Sequence, residues 1–274
     1  MKKLLLLVFM SIMTNVNAQW WKPQWQIYDT VKYVVMYELA LKEDTTNLNR
    51  YKTENYMLSI GANNISSYRG YNSYLRDVEW KKLGDEGVLL EQLQTGQYRS
   101  KTLPSAHKFD ILKNHNERLI TTFDHIYLQG MYEYEEHFDA FNWQITSETD
   151  TIHNYVCQKA ICDFGGRTWE AWFTQELTFS DGPYKFCGLP GLILNIADTQ
   201  NHYSWKFLSI ENPSEPMPVY NVVNDRTSTT KEGFFKLQKK YKVSHSIGET
   251  ATNNDFVQKA IEYERSRNNP IERF

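Results

Sequence analysis

The chain has 274 residues, a net charge of −3 and 23% charged side chains with both signs interspersed. No stretch concentrates Lys and Arg, so nothing favours a nucleic-acid partner, and the length supports one large domain or two small ones around a real core. Aromatic residues reach 15%, led by 18 Tyr and 8 Trp, a bias towards strands.

Residues 1–18 read as a secretory signal. Lys2-Lys3 supply the positive start, Leu4 to Met10 the apolar run, and Val16-Asn17-Ala18 the small-residue cleavage site before Gln19. The apolar run is too short to span a bilayer, and no later segment approaches that length. A mature chain from Gln19, exported to the periplasm or beyond and without a transmembrane segment, is expected. Trp20-Trp21-Lys22-Pro23-Gln24-Trp25 opens it, as a strap over a sheet or as a contact for a partner.

Tyr33–Leu41 reads as a first strand, Lys42–Asn47 as a turn and Tyr56–Gly61 as a second strand. Residues 63–104 are polar and weakly periodic, with one or two helices expected around 72–82 and loops elsewhere. A meander follows: Lys108–Lys113 and Arg118–Phe123 form a hairpin around Asn114-His115-Asn116, then Met131–Phe138 and Trp143–Thr146 add strands. Parity puts Tyr132, Tyr134, Glu136 and Phe138 on one face, and Phe109, Ile111 and Lys113 on one face. Lys113 and Glu136 are therefore expected to point inward and neutralise each other, unless both sit at strand ends and reach water. The opposite parity gathers Glu133, Glu135, His137 and Asp139, a solvated face or a weak cation site.

Gly165-Gly166 marks a two-residue hairpin turn between Tyr155–Phe164 and Arg167–Leu177. Pairing Phe164 with Arg167 sets Cys162 opposite Trp169, Ala160 opposite Ala171 and Gln158 opposite Phe173. Cys162 then faces the core, while Cys157 lies on the wetter face with Lys159, Glu170 and Trp172. On one strand Cys157 and Cys162 lie about 16 Å apart, beyond the ~7 Å limit for a bridge, so any disulfide uses Cys187. A Cys157–Cys187 disulfide is the expected pairing in an exported chain.

In Gly182-Pro183-Tyr184-Lys185-Phe186-Cys187-Gly188-Leu189-Pro190-Gly191-Leu192-Ile193, the order Leu-Pro-Gly-Leu is that of a type II turn launching a strand with Leu192, Leu194 and Ile196 on one face. The loop is structural or binding. Tyr220–Thr230 reads as a polar linker, Gly233–Tyr241 as an amphipathic helix and about 252–265 as a second one, making 228–265 the helical part. Pro270 keeps the tail out of any helix.

Together with Tyr155–Ala160, Phe164–Arg167 and Ala171-Trp172-Phe173, this central stretch closely resembles the GLPGLI family of exported bacterial proteins. Leu58–Gly61, Lys113-Asn114, Tyr134-Glu135-Glu136, Trp143-Gln144-Ile145 and Asn269-Pro270-Ile271-Glu272 extend the resemblance over most of the mature chain. Tyr184 departs from an expected Trp, and Leu177-Thr178 from an Ile-Pro. The resemblance implies an exported β-rich protein and brings no catalytic residues with it.

The expected fold is α+β: a mainly antiparallel, strongly twisted sheet, open or curled into a half-barrel, with C-terminal helices, in one domain over 19–274. The histidines show no metal-ligand spacing, and there is no nucleophile elbow, phosphate loop or cofactor motif. A binding protein for an apolar small molecule, lipid or peptide is the favoured function, with Trp172, Tyr184, Phe186, Lys113 and Glu136 as candidate ligand residues. The alternatives are an envelope interaction module and, third, a hydrolase.

Overall fold

The computed structural model describes residues 23–49, 51–99, 105, 107, 109–126, 129–222, 225–241 and 267–273. The signal segment 1–18 and the helix expected at 252–265 lie outside the described residues.

Among these residues thirteen strands build one open sheet. They are β1 (Trp25–Leu41), β2 (Lys52–Gly61), β3 (Ile65–Gly70), β4 (Asp110–Asn114), β5 (Leu119–Ile126), β6 (Gly130–His137) and β7 (Gln144–Ile152), then β8 (Tyr155–Phe164), β9 (Arg167–Thr174), β10 (Leu192–Asp198), β11 (Tyr203–Glu211), β12 (Pro218–Val222) and β13 (Arg226–Ser228). The order across the sheet is β13-β6-β5-β4-β3-β2-β1-β11-β10-β9-β8-β7, with β12 on the outer half of β1. Every pairing is antiparallel except β13 with β6. Helices α1 (Tyr71–Asp85), α2 (Leu89–Gln94) and α3 (Lys231–Lys240) complete the α+β architecture.

β1 is the spine. Its register shifts at Ile27/Asp29, Val31/Tyr33 and Met36/Tyr37, so one strand pairs first with β12 and then with β2 and β11. Asp29 fills one irregularity, its carboxylate accepting from Asn63 N at 2.7 Å and Asn63 Nδ2 at 2.8 Å. One sheet face carries the main core of Tyr37, Leu39, Tyr56, Leu58, Trp169, Phe173 and Trp205. The other face holds Val31, Val34, Met57 and Leu112 under Tyr71 and Tyr74 of α1.

Two stretches expected to be irregular are ordered. The polar run after residue 63 contributes β3, buried from Ser66 to Gly70 although its sequence is only ISSYRG. Tyr220–Thr230 is not a linker, since β12 ends and β13 lies within it, short edge strands that carry no periodic signal.

The central hairpin has the expected register, from Phe164↔Arg167 to Gln158↔Phe173. Gly165 and Gly166 have φ of 59° and 70°, the left-handed pair that a tight hairpin turn needs. They are also packed: a Cβ on Gly165 would stand 2.8 Å from Glu272 Cγ.

Alternation fails at the open end of this hairpin, and the expected disulfide fails with it. Cys157 is buried and Val156 is 63% exposed, the reverse of the parity reading. Two register shifts fall in this region of the sheet, between Ile145 and Thr149 of the adjoining β7 and between Ile193 and Asn195 of β10, two strands away across β9. Cys157, Cys162 and Cys187 are all free and buried, so there is no Cys157–Cys187 bridge, while Cys162 is inward as its parity required. Burial pushes the three thiols up, to about 11, 12 and 12 respectively, which makes them unreactive.

Candidate functional site

The segment between β9 and β10 is laid against the sheet and pinned from several strands. Leu189-Pro190-Gly191 closes a three-residue turn, with Gly191 N donating to Leu189 O at 2.8 Å, in place of the expected type II turn. The reason is local crowding. Gly191 has φ 151°, and a Cβ there would lie 2.0 Å from Thr174 O, so the chain is pressed onto the end of β9 and Leu192 N turns to Leu177 O. Phe186 sits fully buried among Phe141, Phe164, Trp169, Tyr184 and Trp205. Tyr184 is held at φ 53°, outside the usual range for a bulky residue.

Two buried lysines fasten this loop, and the expected Lys113–Glu136 pair is replaced by two separate ones. Lys113 does point inward, but its carboxylate is Asp181, at 2.5 Å, and it also donates to Gly182 O at 2.7 Å. Asp181 Oδ2 accepts from Ser66 Oγ at 2.5 Å and meets His115 Nε2 at 3.0 Å. Burial alone would raise the Asp181 pKa, but Lys113 and His115 outweigh it and hold the carboxyl well below the usual range. Glu136 instead pairs with Lys185 and with Lys231 of α3. Glu272 completes this group, taking Lys185 at 2.6 Å, Lys231 at 2.6 Å and the Tyr184 hydroxyl at 2.6 Å. Burial disfavours the Lys185 ammonium, yet Glu272, Tyr134 and Glu136 hold its pKa above that of an ordinary lysine.

The tail that carries Glu272 is received residue by residue. Arg167 donates to Asn269 Oδ1 at 2.6 Å, Pro270 O at 2.6 Å and Ile271 O at 2.8 Å, and pairs with Asp198 at 2.7 Å. Asn269 Nδ2 donates to Lys42 O at 2.6 Å, and the Tyr203 hydroxyl to Asn269 O at 2.5 Å. The Gly-Gly-Arg hairpin turn and the Asn-Pro-Ile-Glu tail, far apart in sequence, are thus two halves of one contact.

Beside this contact lies a cavity of about 310 Å³. Thr122, Asp124 and His125 of β5 and Tyr134 of β6 form one wall, Phe235 of α3 and Tyr241 a second, and the tail from Asn269 to Glu272 a third; Glu43, His107, Phe109, Tyr184, Tyr203 and Arg267 close it. Four buried polar atoms in this lining accept or donate no hydrogen bond; Glu43 Oε1 and Glu272 Oε2 are held in ion pairs with Arg267 and Lys231, which leaves Thr122 Oγ1 and His107 Nε2 without a partner. Thr122 is only 2% exposed. Burial and the nearby Arg267 lower the His107 pKa to about 4, so its imidazole is neutral at ordinary pH.

Asp124 moves the other way. Burial raises its pKa from 3.8 to about 6, with the His125 amide, Lys185 and Arg267 opposing weakly and Asp110 assisting. A carboxyl with a raised folded-state pKa stabilises the fold fully below its unfolded value and loses that contribution as the pH rises through the folded one. Asp124→Asn is therefore expected to raise Tm at neutral pH, with the gain vanishing below about pH 3.8. Thermal melts across that range check it, and a Tm lowered by the substitution at pH 7 refutes it.

Of the residues nominated from sequence, Tyr184 lines the cavity, while Lys113 and Glu136 anchor its surroundings. Phe186 is core, and Trp172 stands apart, half-buried with Lys159 Nζ 6.0 Å from its ring centre. Thr122, Asp124 and His107 carry no signal in the sequence, because the cavity is assembled from separate segments and no local pattern marks its lining. Among the described residues, no group of three His, Cys, Asp or Glu is placed to hold a metal ion, and no helix is long and apolar enough to cross a membrane.

A family model described as "Protein of unknown function (Porph_ging)" matches residues 166–195, from the hairpin turn through the pinned loop into β10. No curated protein matches the chain. The structure of PNGF-II in a P21 crystal form is similar at 12% identity and a TM-score of 0.51, over 77% of this chain and 34% of that one. Its C2 form gives 12%, 0.49, 77% and 33%. The LolA superfamily protein NE2245 from Nitrosomonas europaea gives 8%, 0.26, 69% and 88%. The likeness to the first is one of fold, and the chain spans about a third of the length of PNGF-II; the scores of the other two carry no argument.

Proposed function

We propose that the chain is an exported binding protein of the GLPGLI type, whose cavity takes one small molecule with a compact apolar body and hydrogen-bonding groups. The observation that carries this reading is the pair of buried, unpartnered atoms, Thr122 Oγ1 and His107 Nε2, in the lining of one cavity. A buried polar atom without a partner costs about 1–3 kcal/mol, which a ligand bonding to both would recover. The volume falls at the small end of ligand pockets. Its ionisable and phenolic lining favours a small molecule over a lipid acyl chain or a peptide.

Protein recovered from the envelope fraction is expected to start at Gln19 and to carry one small-molecule adduct per chain in native mass spectrometry. Thr122→Phe, which fills the cavity, is expected to abolish the adduct while leaving the circular dichroism unchanged. A bare wild-type protein, or an adduct that survives Thr122→Phe, rejects the reading. A docking role has separate support in Ile145 and Val156, 48% and 63% exposed on the β7–β8 edge of the sheet. Pull-down with an Ile145→Lys, Val156→Lys double variant tests it, a partner retained by that variant counting against it.

A further inference from the structure

From the charges and rings around the cavity we infer that its ligand is a small organic cation, an amine whose ammonium pairs with Asp124 while its body packs on tyrosine and phenylalanine. This deepens the reading of the cavity as a binding site and rests on it. The argument begins with a census of the charges nearby. Lys185 and Lys231 are matched by Glu136 and Glu272, two ammonium groups against two carboxylates. Arg267 is committed to Glu43 at 3.1 Å. His107 is unpartnered at Nε2 but uncharged.

Asp124 is different. It lines the cavity, and the bond it accepts comes from the adjoining amide, His125 N at 2.7 Å. Among the described residues no lysine or arginine stands within ion-pair distance of it. Asp124 is half-buried, and a carboxylate partly withdrawn from water without a cation gains from a ligand that supplies one. The walls around it suit an organic cation, since Tyr134, Tyr184, Tyr203, Phe235 and Tyr241 present aromatic rings to the same space, and cations are drawn to the faces of such rings. Thr122 Oγ1, almost fully buried and unpartnered, adds an independent hydrogen-bonding site for the ligand body.

The test uses three probes with one ring and one chain length: tyramine as the cation, 4-propylphenol as its neutral counterpart and 3-(4-hydroxyphenyl)propanoate as the anion. Binding to the full mature chain is followed by calorimetry. Tyramine is expected to bind about tenfold or more tightly than 4-propylphenol, the size of one charge-assisted contact, and the anion most weakly. In Asp124→Asn the preference for tyramine is expected to disappear while 4-propylphenol binds as before, and Thr122→Phe is expected to exclude all three. If 4-propylphenol binds as well as tyramine, or Asp124→Asn keeps the preference, the amine assignment is overturned and the cavity remains a binding site. If none of the three binds at millimolar concentration, both readings fall.

Discussion

Asp181→Asn is expected to cost the fold about 3–5 kcal/mol, because it strands a buried ammonium without its counter-charge. Lys113 is fully buried and Asp181 is 2% exposed, so water cannot take the place of the lost carboxylate. The amide oxygen can still accept from Lys113 while the amide nitrogen takes the place of the oxygen that accepts from Ser66, so the change removes the charge and one acceptor and keeps the shape. The pH dependence follows from the lowered Asp181 pKa. A carboxyl depressed in the folded state stabilises it above the unfolded pKa and loses that contribution as the pH falls through the folded value. Denaturant melts should therefore show the two proteins far apart at neutral pH and converging in acid. The double variant Lys113→Met, Asp181→Leu separates charge from packing, since a buried ion pair replaced by apolar residues is often neutral. A loss under about 0.5 kcal/mol for the single variant would mean that Lys113 reaches water.

Glu272→Gln is the second large effect, at about 2–4 kcal/mol. It is smaller because Lys185 keeps Glu136, but three donors converge on Glu272: Lys185, Lys231 and the Tyr184 hydroxyl. The Glu272 pKa is set by burial, which raises it, and by Lys185 and Lys231, which win and lower it. The loss should be regional. Amide exchange is expected to quicken in residues 182–187 and in the tail, with β1 and β2 unchanged, because the pinned loop and the tail share this anchor. Equal quickening throughout the sheet would show that Glu272 serves global stability only.

The parts of this fold that were readable in the sequence are those governed by one local rule. Gly165-Gly166 fixed the hairpin register because only left-handed residues make that turn, and every pair from Phe164↔Arg167 to Gln158↔Phe173 followed. Parity likewise turned Lys113 inward. It could not name Asp181 as the partner, since the carboxylates and the second lysine come from an irregular loop and a distant tail that have no period. Cys157 shows the limit from the other side: it is buried against its strand parity where the neighbouring β7 carries two extra residues between its pairings with Ala160 and Gln158. The cavity was invisible for the first reason. Thr122, Asp124 and His107 are unremarkable in sequence and become a site only where β5, the segment before β4, α3 and the tail meet.

The order in which a ribosome delivers these pieces adds a constraint in time. Glu272 is made 87 residues after Lys185, and Ile271 is made 104 residues after Arg167. At roughly 5–20 residues per second, the chain waits about 4–20 s between making its buried cations and making the acceptors that complete their pairing. Throughout that interval the loop cannot be seated without leaving Lys185 short of one anion and Arg167 short of three acceptors. The thirteen strands therefore have little reason to consolidate in the order they emerge. Seating of the pinned loop is thus coupled to the arrival of the last residues of the chain, which bring Glu272 to Lys185 and three acceptors to Arg167.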